Sequence, residues 1–386
     1  MSEIKKTLTF TILSISLLTV MAGAAIAPAL GTIREHFAGT PDIVIQMIVS
    51  MPALFIIMTN LVFAKLCALM KTRTLAITGL LMYVVSGTGA FFLDNIWALL
   101  ASRAVLGISV GMIMPLSTGL LSYYFPPEKQ ASLMGLSAAM NQMGGVVATL
   151  LAGLLAGISW NYAFLVYLLG LVAVIMVILF LPNERLSGGN GPSLKLLKRF
   201  HPSVVGMFLV MLIFFIYPTN FAIAASKGTN LSGNAITLIM VGLDVVAFLV
   251  GMIFGWLVGM FPSGMKYFAP VLFFAGYLVM AMFPVPWGLL TGSALIGLAN
   301  GIGVPYLNTI ASLKAGKEAA TTVMPLLSAA LYLGQFISPI VVVPLGKLLF
   351  GELTTASFNV GVILSIVFFL QIYLTRNKQA QPVSRH

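Results

Sequence analysis

The 386 residues are 60% hydrophobic and only 8% charged, with a mean hydropathy of +1.06. A soluble domain of this length carries roughly a quarter charged residues, so too little polar side chain is present to cover a water-facing surface, and the apolar surplus must meet lipid. The net charge of +11 is scattered in short clusters between apolar runs, which argues against a nucleic-acid partner, and the lone Cys67 rules out an intrachain disulfide.

Apolar runs of about 20 residues or more, each enough to cross ~30 Å of hydrocarbon, fall near 7–32, 43–70, 74–93, 96–124, 130–157 and 160–181. Six more follow near 203–226, 233–261, 267–284, 286–312, 319–349 and 353–375. With no water at that depth to satisfy the backbone, all twelve must be helices. Ala25-Ile26-Ala27 behind a basic start resembles a signal-peptide cleavage site. The run around it is too long for a signal segment and continues past it, so it is taken as the first span.

Basic residues set the orientation. With the first residues in the cytoplasm, sixteen lysines and arginines fall at cytoplasmic ends and only Arg34, Lys227 and Lys347 outside, while Arg103 lies within a span. The bias places both termini in the cytoplasm of a cytoplasmic-membrane protein. Between the sixth and seventh spans, residues 182–201 hold the linker-like Ser187-Gly188-Gly189-Asn190-Gly191-Pro192-Ser193, then Leu194-Lys195-Leu196-Leu197-Lys198-Arg199-Phe200. The second stretch is expected to form a short amphipathic helix on the anionic inner leaflet. The chain thus divides into a six-helix bundle over 1–181, the linker over 182–201, and a second bundle with a short tail over 202–386.

The halves are related. Gly107, Gly111 and Pro115 in the fourth span recur 190 positions later as Gly297, Gly301 and Pro305 in the tenth, and Gly144 recurs as Gly334. A duplication at half the chain length makes two similar bundles that rock about a site at their interface. Small residues at four-residue spacing let backbones approach closely. Gly107, Gly111, Gly297 and Gly301, with the two prolines, are therefore candidates for contacts that change during that motion. Gly251, Gly255 and Gly259 are expected only to pack helices within their own bundle.

Arg103-Ala104-Val105-Leu106-Gly107-Ile108-Ser109-Val110-Gly111-Met112-Ile113-Met114-Pro115 closely resembles the fourth-helix motif of the major facilitator superfamily. Tyr123 to Lys129, then Gly135 and Gly144-Gly145, continue the pattern. Trp160-Asn161-Tyr162-Ala163-Phe164 is similar to the Trp-Arg-x-x-Phe motif of its twelve-helix drug/proton antiporters, with Asn161 in place of Arg. The resemblance implies an all-α membrane fold of twelve helices in two pseudo-symmetric bundles of six. Two motifs depart from it. The signature between the second and third helices, Gly-x-Leu-Ala-Asp-Arg-x-Gly-Arg-Arg, is matched by Ala64 to Arg73, with Ala68 for the Asp and both glycines lost. Lys71 and Arg73 remain as gating candidates, without the usual charge-relay latch. The Gly-Pro-x-x-Gly-Gly that ends the antiporter motif on helix five is replaced by Ala148 to Gly153.

Arg103 and Asp244 are the only charges well inside spans. An ionised group at the bilayer centre costs ~2.5–3.5 kcal/mol on insertion scales, so each needs a partner or a cavity. Gly251 and Gly255 lie 7 and 11 positions after Asp244, on the same helical face, which turns the carboxylate toward other helices. Desolvation favours the neutral form of a carboxyl, the property a reversible proton carrier needs. Asp244 is thus the proton-coupling candidate, against a fixed packing role. For Arg103 the resemblance implies a part in coupling, and an interhelical brace explains it equally well. Candidate cavity groups are Asn141, Gln142, Tyr217, Thr219, Asn220, Tyr306 and Asn308, and Pro218 is expected to interrupt the seventh helix between Tyr217 and Thr219. The superfamily arrangement would bring Asp244 near Asn141 and Gln142.

No Gly-x-x-x-x-Gly-Lys-Ser/Thr phosphate cradle occurs, and His36, His201 and His386 all lie at helix ends or tails, so neither an ATP-driven pump nor an intramembrane hydrolase is supported. The expectation is a non-enzymatic, monomeric secondary transporter that moves a small organic molecule through the bilayer by alternating access. It needs no cofactor or metal and draws on a proton gradient, with antiport efflux first and symport uptake second. A transporter-like sensor or lipid scramblase shares this fold and stands behind both.

Overall fold

A computed structural model describes residues 3–26, 29, 33, 36–40, 42–186, 194–231, 233–316, 322–351 and 353–379. The described chain is helical throughout, and its helices follow the apolar runs. They are α1 (Glu3–Ala24), α2 (Asp42–Leu69), α3 (Thr72–Gly89), α4 (Ile96–Tyr124), α5 (Pro127–Ala156) and α6, which opens as a 3₁₀ turn over Trp160–Leu169 and continues over Gly170–Phe180. After the linker come α7 (Leu194–Phe214 and Ile216–Gly228), α8 (Gly233–Met260), α9 (Phe268–Met282), α10 (Pro286–Ala315), α11 (Val323–Phe350) and α12 (Ala356–Gln379). Among the described residues ten helices are long and apolar enough to cross a membrane, or eleven when the bent pair Val323–Ser338 and Ile340–Phe350 counts as one. Lys6–Ala22 adds a shorter apolar helix.

Local chemistry sets the boundaries. The Asn95 side chain caps α4, accepting from Trp97 N at 2.8 Å and Ala98 N at 3.3 Å. Pro127 and Pro286 open α5 and α10, where the missing N–H costs nothing. Gly316 (φ 60°) and Gly351 (φ 66°) end α10 and α11 in a conformation that side chains disfavour. The bend of 43° in α11 falls at residue 339, a proline.

Two expectations are corrected. The break in α7 lies at Phe215, not between Tyr217 and Thr219. The cause is still Pro218: it has no N–H to offer the carbonyl four residues earlier, Phe214, and the helix parts there. The amphipathic stretch from Leu194 is no separate surface helix either; it is the first turns of α7, continuous to Phe214. Ser187–Ser193 lies outside the described residues.

The helix pairings repeat. In the first half α1 packs on α4 and α5, α2 on α4, and α3 on α4 and α6; six helices later α7 packs on α10 and α11, α8 on α10, and α9 on α10 and α12. Glycines set the depth of these contacts. A methyl on Gly107 would lie 2.5 Å from Pro52 O, and one on Gly297 would lie 2.5 Å from Leu243 O. Gly111 faces Ile56 O at 3.0 Å and Gly301 faces Ala247 O at 2.7 Å, by the same measure. A methyl on Gly144 would overlap the Leu17 carbonyl oxygen, and one on Gly334 that of Phe208. Between helices in lipid no hydrophobic force acts, so van der Waals contact at this range holds them together.

Gly144→Ala and Gly334→Ala must each push two helices apart, at about 1–3 kcal/mol for overpacking. Each should lower the thermal unfolding temperature of the purified protein. Gly259→Ala, where a methyl meets nothing within 4 Å, should leave it unchanged.

Candidate functional site

The two halves meet along α2–α11, α5–α8 and α5–α10. Halfway along the second seam, Gln142 Nε2 of α5 donates to Asp244 Oδ1 of α8 at 3.3 Å. The contact lies about 22 Å along α5 from Pro127 at 1.5 Å per residue, close to mid-depth. One residue before Gln142, Asn141 Oδ1 accepts from Thr19 Oγ1 of α1 at 2.7 Å. Deeper in the first half, Ser16 Oγ lies 2.9 Å from Ser137 Oγ and 3.3 Å from Ser117 Oγ. Thr19 and Ser16 were missed among the sequence candidates. Their three-residue spacing was the available signal, set among the further hydroxyl residues Thr7, Thr9, Thr11 and Ser14 of the same helix.

This polar interior belongs to one half only. Ser117, Ser137 and Asn141 correspond, 190 positions on, to Leu307, Leu327 and Leu331; Ser16 and Thr19 correspond, 191 on, to Met207 and Val210. All five of these apolar residues are buried. The C-terminal half therefore presents hydrocarbon where the N-terminal half presents hydroxyls and an amide.

Arg103 lies apart from Asp244, wholly buried inside the first half. Its Nη1 donates to Tyr167 OH at 2.9 Å and its Nη2 to Gly87 O at 3.4 Å, and the guanidinium lies 5.0 Å from the ring centres of both Phe164 and Tyr167. Tyr167 OH in turn donates to Ala22 O near the C-terminal end of α1. The charge is thus met by the Gly87 carbonyl near the C-terminal end of α3, by the Tyr167 hydroxyl and by two aromatic faces. That is the geometry of a brace joining α1, α3, α4 and α6.

The remaining cavity candidates scatter. Tyr217 is buried, its OH 2.8 Å from Ser293 Oγ of α10. Thr219 is exposed and donates to Phe215 O, while Asn220 bonds Ile216 O and accepts from Ser357 Oγ of α12 at 2.9 Å. Tyr306 lines a small cavity inside the second half with Lys266, Gln371 and Pro202. Asn308 is half-buried on α10, two residues beyond Tyr306.

The glycines pack against other partners than expected. Gly107 and Gly111 pack on α2, and Gly297 and Gly301 on α8, each within its own half. Gly251 and Gly255, expected to pack internally, instead cross the seam: methyls there would lie 2.9 Å from Gly135 O and 2.7 Å from Ser132 Cβ of α5. Gly259 meets nothing. Pro115 and Pro305 sit buried inside α4 and α10. Lys71 is exposed, and Arg73 Nε donates to Leu181 O at 2.6 Å, still in the first half.

The α2–α11 seam has a residue that sequence reasoning passed over. With its amide turned so that both ends are satisfied, Asn60 donates to Gly111 O at 3.0 Å and accepts from Ser328 Oγ at 2.8 Å and Ala329 N at 3.2 Å. A single asparagine thus ties α2, α4 and α11. No group of three or more His, Cys, Asp or Glu that could hold a metal occurs among the described residues.

Two repeated bundles meeting at a mid-depth polar seam define a polytopic membrane protein of the transporter type. The profile of the Major Facilitator Superfamily matches residues 12–339, and the chain belongs to that family. It is 26% identical over 215 residues to the quinolone resistance protein NorA of Staphylococcus aureus (strain MRSA252), a match covering 53% of each chain. The chain thus spans about half the length of the curated relatives it matches. The fold resembles that of the human organic anion transporter MFSD10 (TM-score 0.78, 18% identity, 95% of this chain and 99% of that one). It also resembles the proton:xylose symporter XylE (TM-score 0.75, 13% identity, 95% of both chains).

Arg103→Met keeps most of the buried volume and removes both charged hydrogen bonds, each worth about 1.5–3 kcal/mol. The variant should unfold at a clearly lower temperature in detergent. If bracing is its whole role, the folded fraction should keep the parent's response to a pH gradient in vesicles.

Proposed function

We propose that the chain is a secondary active transporter that carries a small organic solute by alternating access and expels it in exchange for protons. The observation that carries this reading is Asp244 at the seam. It alone of the nine acidic residues lies well inside a span, and its bonding partner Gln142 belongs to the opposite half. When the halves rock, such a carboxylate changes surroundings. Crossing a closed seam ionised is costly, and a bound proton removes that cost. Efflux is supported by the antiporter-like fourth helix and by the likeness to NorA. The one-sided polar interior suits a solute with neutral hydrogen-bonding groups at one end and an apolar body at the other.

The orientation rests on the basic residues, sixteen against three. Both termini and the linker over 182–201 lie in the cytoplasm, between bundles at 1–181 and 202–386, in the cytoplasmic membrane. The protein works as a monomer without a cofactor. Reporter fusions after Lys195 and at the C-terminus should show cytoplasmic activity only; an external signal at either point sinks this topology.

Asp244→Asn holds the side chain in a neutral state. In proteoliposomes it should still bind and exchange solute down its gradient while losing accumulation driven by an imposed pH gradient. Asp244→Glu should recover part of the coupling. Full proton-driven transport by Asp244→Asn would falsify the role, and solute uptake with inward proton flow in the parent would assign symport instead.

A further inference from the structure

At the end of the bundle where α4 turns into α5, three buried side chains join the halves. Ser312 Oγ of α10 donates to Gln130 Oε1 of α5 at 2.5 Å and lies 2.7 Å from Ser122 Oγ of α4. Gln130 is fixed in turn: its Nε2 donates to Ser122 O at 3.2 Å and Phe125 O at 3.1 Å, across the α4–α5 turn. All three residues are at most 4% exposed.

Ser122 and Ser312 are 190 positions apart, the offset of the internal repeat. They are therefore the same residue of the two halves. Equivalent points that touch across a two-fold relation must lie on its axis, so this contact marks the pseudo-symmetry axis where it leaves the bundle. The position equivalent to Gln130 is Ala320, which leaves the amide as a single clasp over a symmetric pair. Other hydrogen bonds between the halves lie between this end and mid-depth: Asn60 with Ser328 and Ala329, and Gln142 with Asp244. Gly251 and Gly255 close against α5 over the same depth. The halves are joined over this depth.

None of the three clasp residues carries a charge. The charged latch of the family signature is absent from this chain, with Ala68 at its acidic position. Arg73 and Thr72 bond Leu181 O and Glu184 O of their own half.

We propose that Ser122, Gln130 and Ser312 form an uncharged clasp on the pseudo-two-fold axis, and that releasing it is the step that opens this face of the transporter. The proposal rests on alternating access. Because nothing in the clasp titrates, opening here is insensitive to salt, and proton dependence is left to the mid-depth seam.

Two experiments on the full chain test it, both with Cys67→Ser. Ser122→Cys with Ser312→Cys, oxidised in proteoliposomes, should lose solute flux about tenfold or more and regain it on reduction; each single variant should ignore the oxidant. Undiminished flux in the linked protein overturns the clasp, whereas no flux even after reduction, with the parent also inactive, overturns the transport reading alone. The second experiment needs no transport. In the Ser122→Cys protein, adding Gln130→Ala should raise the rate of thiol labelling by an impermeant maleimide, from the face bearing the α4–α5 turn, about tenfold. The increase should be equal in low and high salt. An unchanged rate, or an increase that high salt abolishes in favour of a charged latch, overturns the proposal.

Discussion

The architecture depends on how closely two backbones can approach at a glycine. In water, apolar burial draws helices together; in hydrocarbon that force is absent, and only contact and hydrogen bonds remain. The chain meets this by setting glycines against carbonyls. Gly107 on Pro52 and Gly111 on Ile56 recur as Gly297 on Leu243 and Gly301 on Ala247. The glycine side of each pair shifts by 190 positions and the carbonyl side by 191, so each half preserves a register as well as a motif. Helices docked this closely behave as rigid units, and two rigid units can rock as bodies only where their shared seam is looser than their interiors.

The seam is built differently from the interiors. Inside each half the glycine-to-carbonyl approaches lie beside polar contacts between helices of the same half, such as Thr19 with Asn141, Arg103 with Tyr167 and Tyr217 with Ser293. Across the seam, α5 and α8 also meet at small residues, Gly135 with Gly251 and Ser132 with Gly255. There the polar pairs join opposite halves, where they can be exchanged for water or solute: Gln142 with Asp244, and Asn60 with Ser328 and Ala329. A hydrogen bond contributes about 0.5–1.5 kcal/mol net, little enough to be given up in a cycle, whereas prising a helix off a glycine contact has no replacement partner.

Much of this fold was legible in the sequence because hydropathy acts on whole segments. The bounds of the fourth span, 96–124, match α4, and the repeat was visible from four residue pairs. The partners of those residues were not legible. Gly107 with Gly111 and Gly251 with Gly255 have the same spacing, which states that something comes close but not what. The first pair faces its own half and the second the opposite half, the reverse of the expectation. Asn60 gave no signal at all, being one amide in an apolar run. Arg103 carried a strong motif, yet its partners Tyr167, Gly87 and Phe164 come from helices three and six, whose sequences share no pattern that points to an arginine.

The duplication also explains why function need not be shared equally. A repeated scaffold has to conserve only what sets the helix register, and the glycines do so. Positions that line the interior without setting register are free to diverge, and here they have: Ser117, Ser137 and Asn141 against Leu307, Leu327 and Leu331, with Ser16 and Thr19 against Met207 and Val210. Charge has diverged the same way. Arg103 corresponds to Ser293, which bonds Tyr217, and Asp244 corresponds, 191 positions earlier, to Ala53. Each half keeps one charged side chain well inside a span with no counterpart in the other, the cation wholly enclosed and the half-buried carboxylate facing across the seam. An enclosed charge has one environment throughout a rocking motion, while a charge on the moving boundary has two. In the proposed cycle, only the carboxylate is placed so that the motion of the halves and its protonation can influence each other.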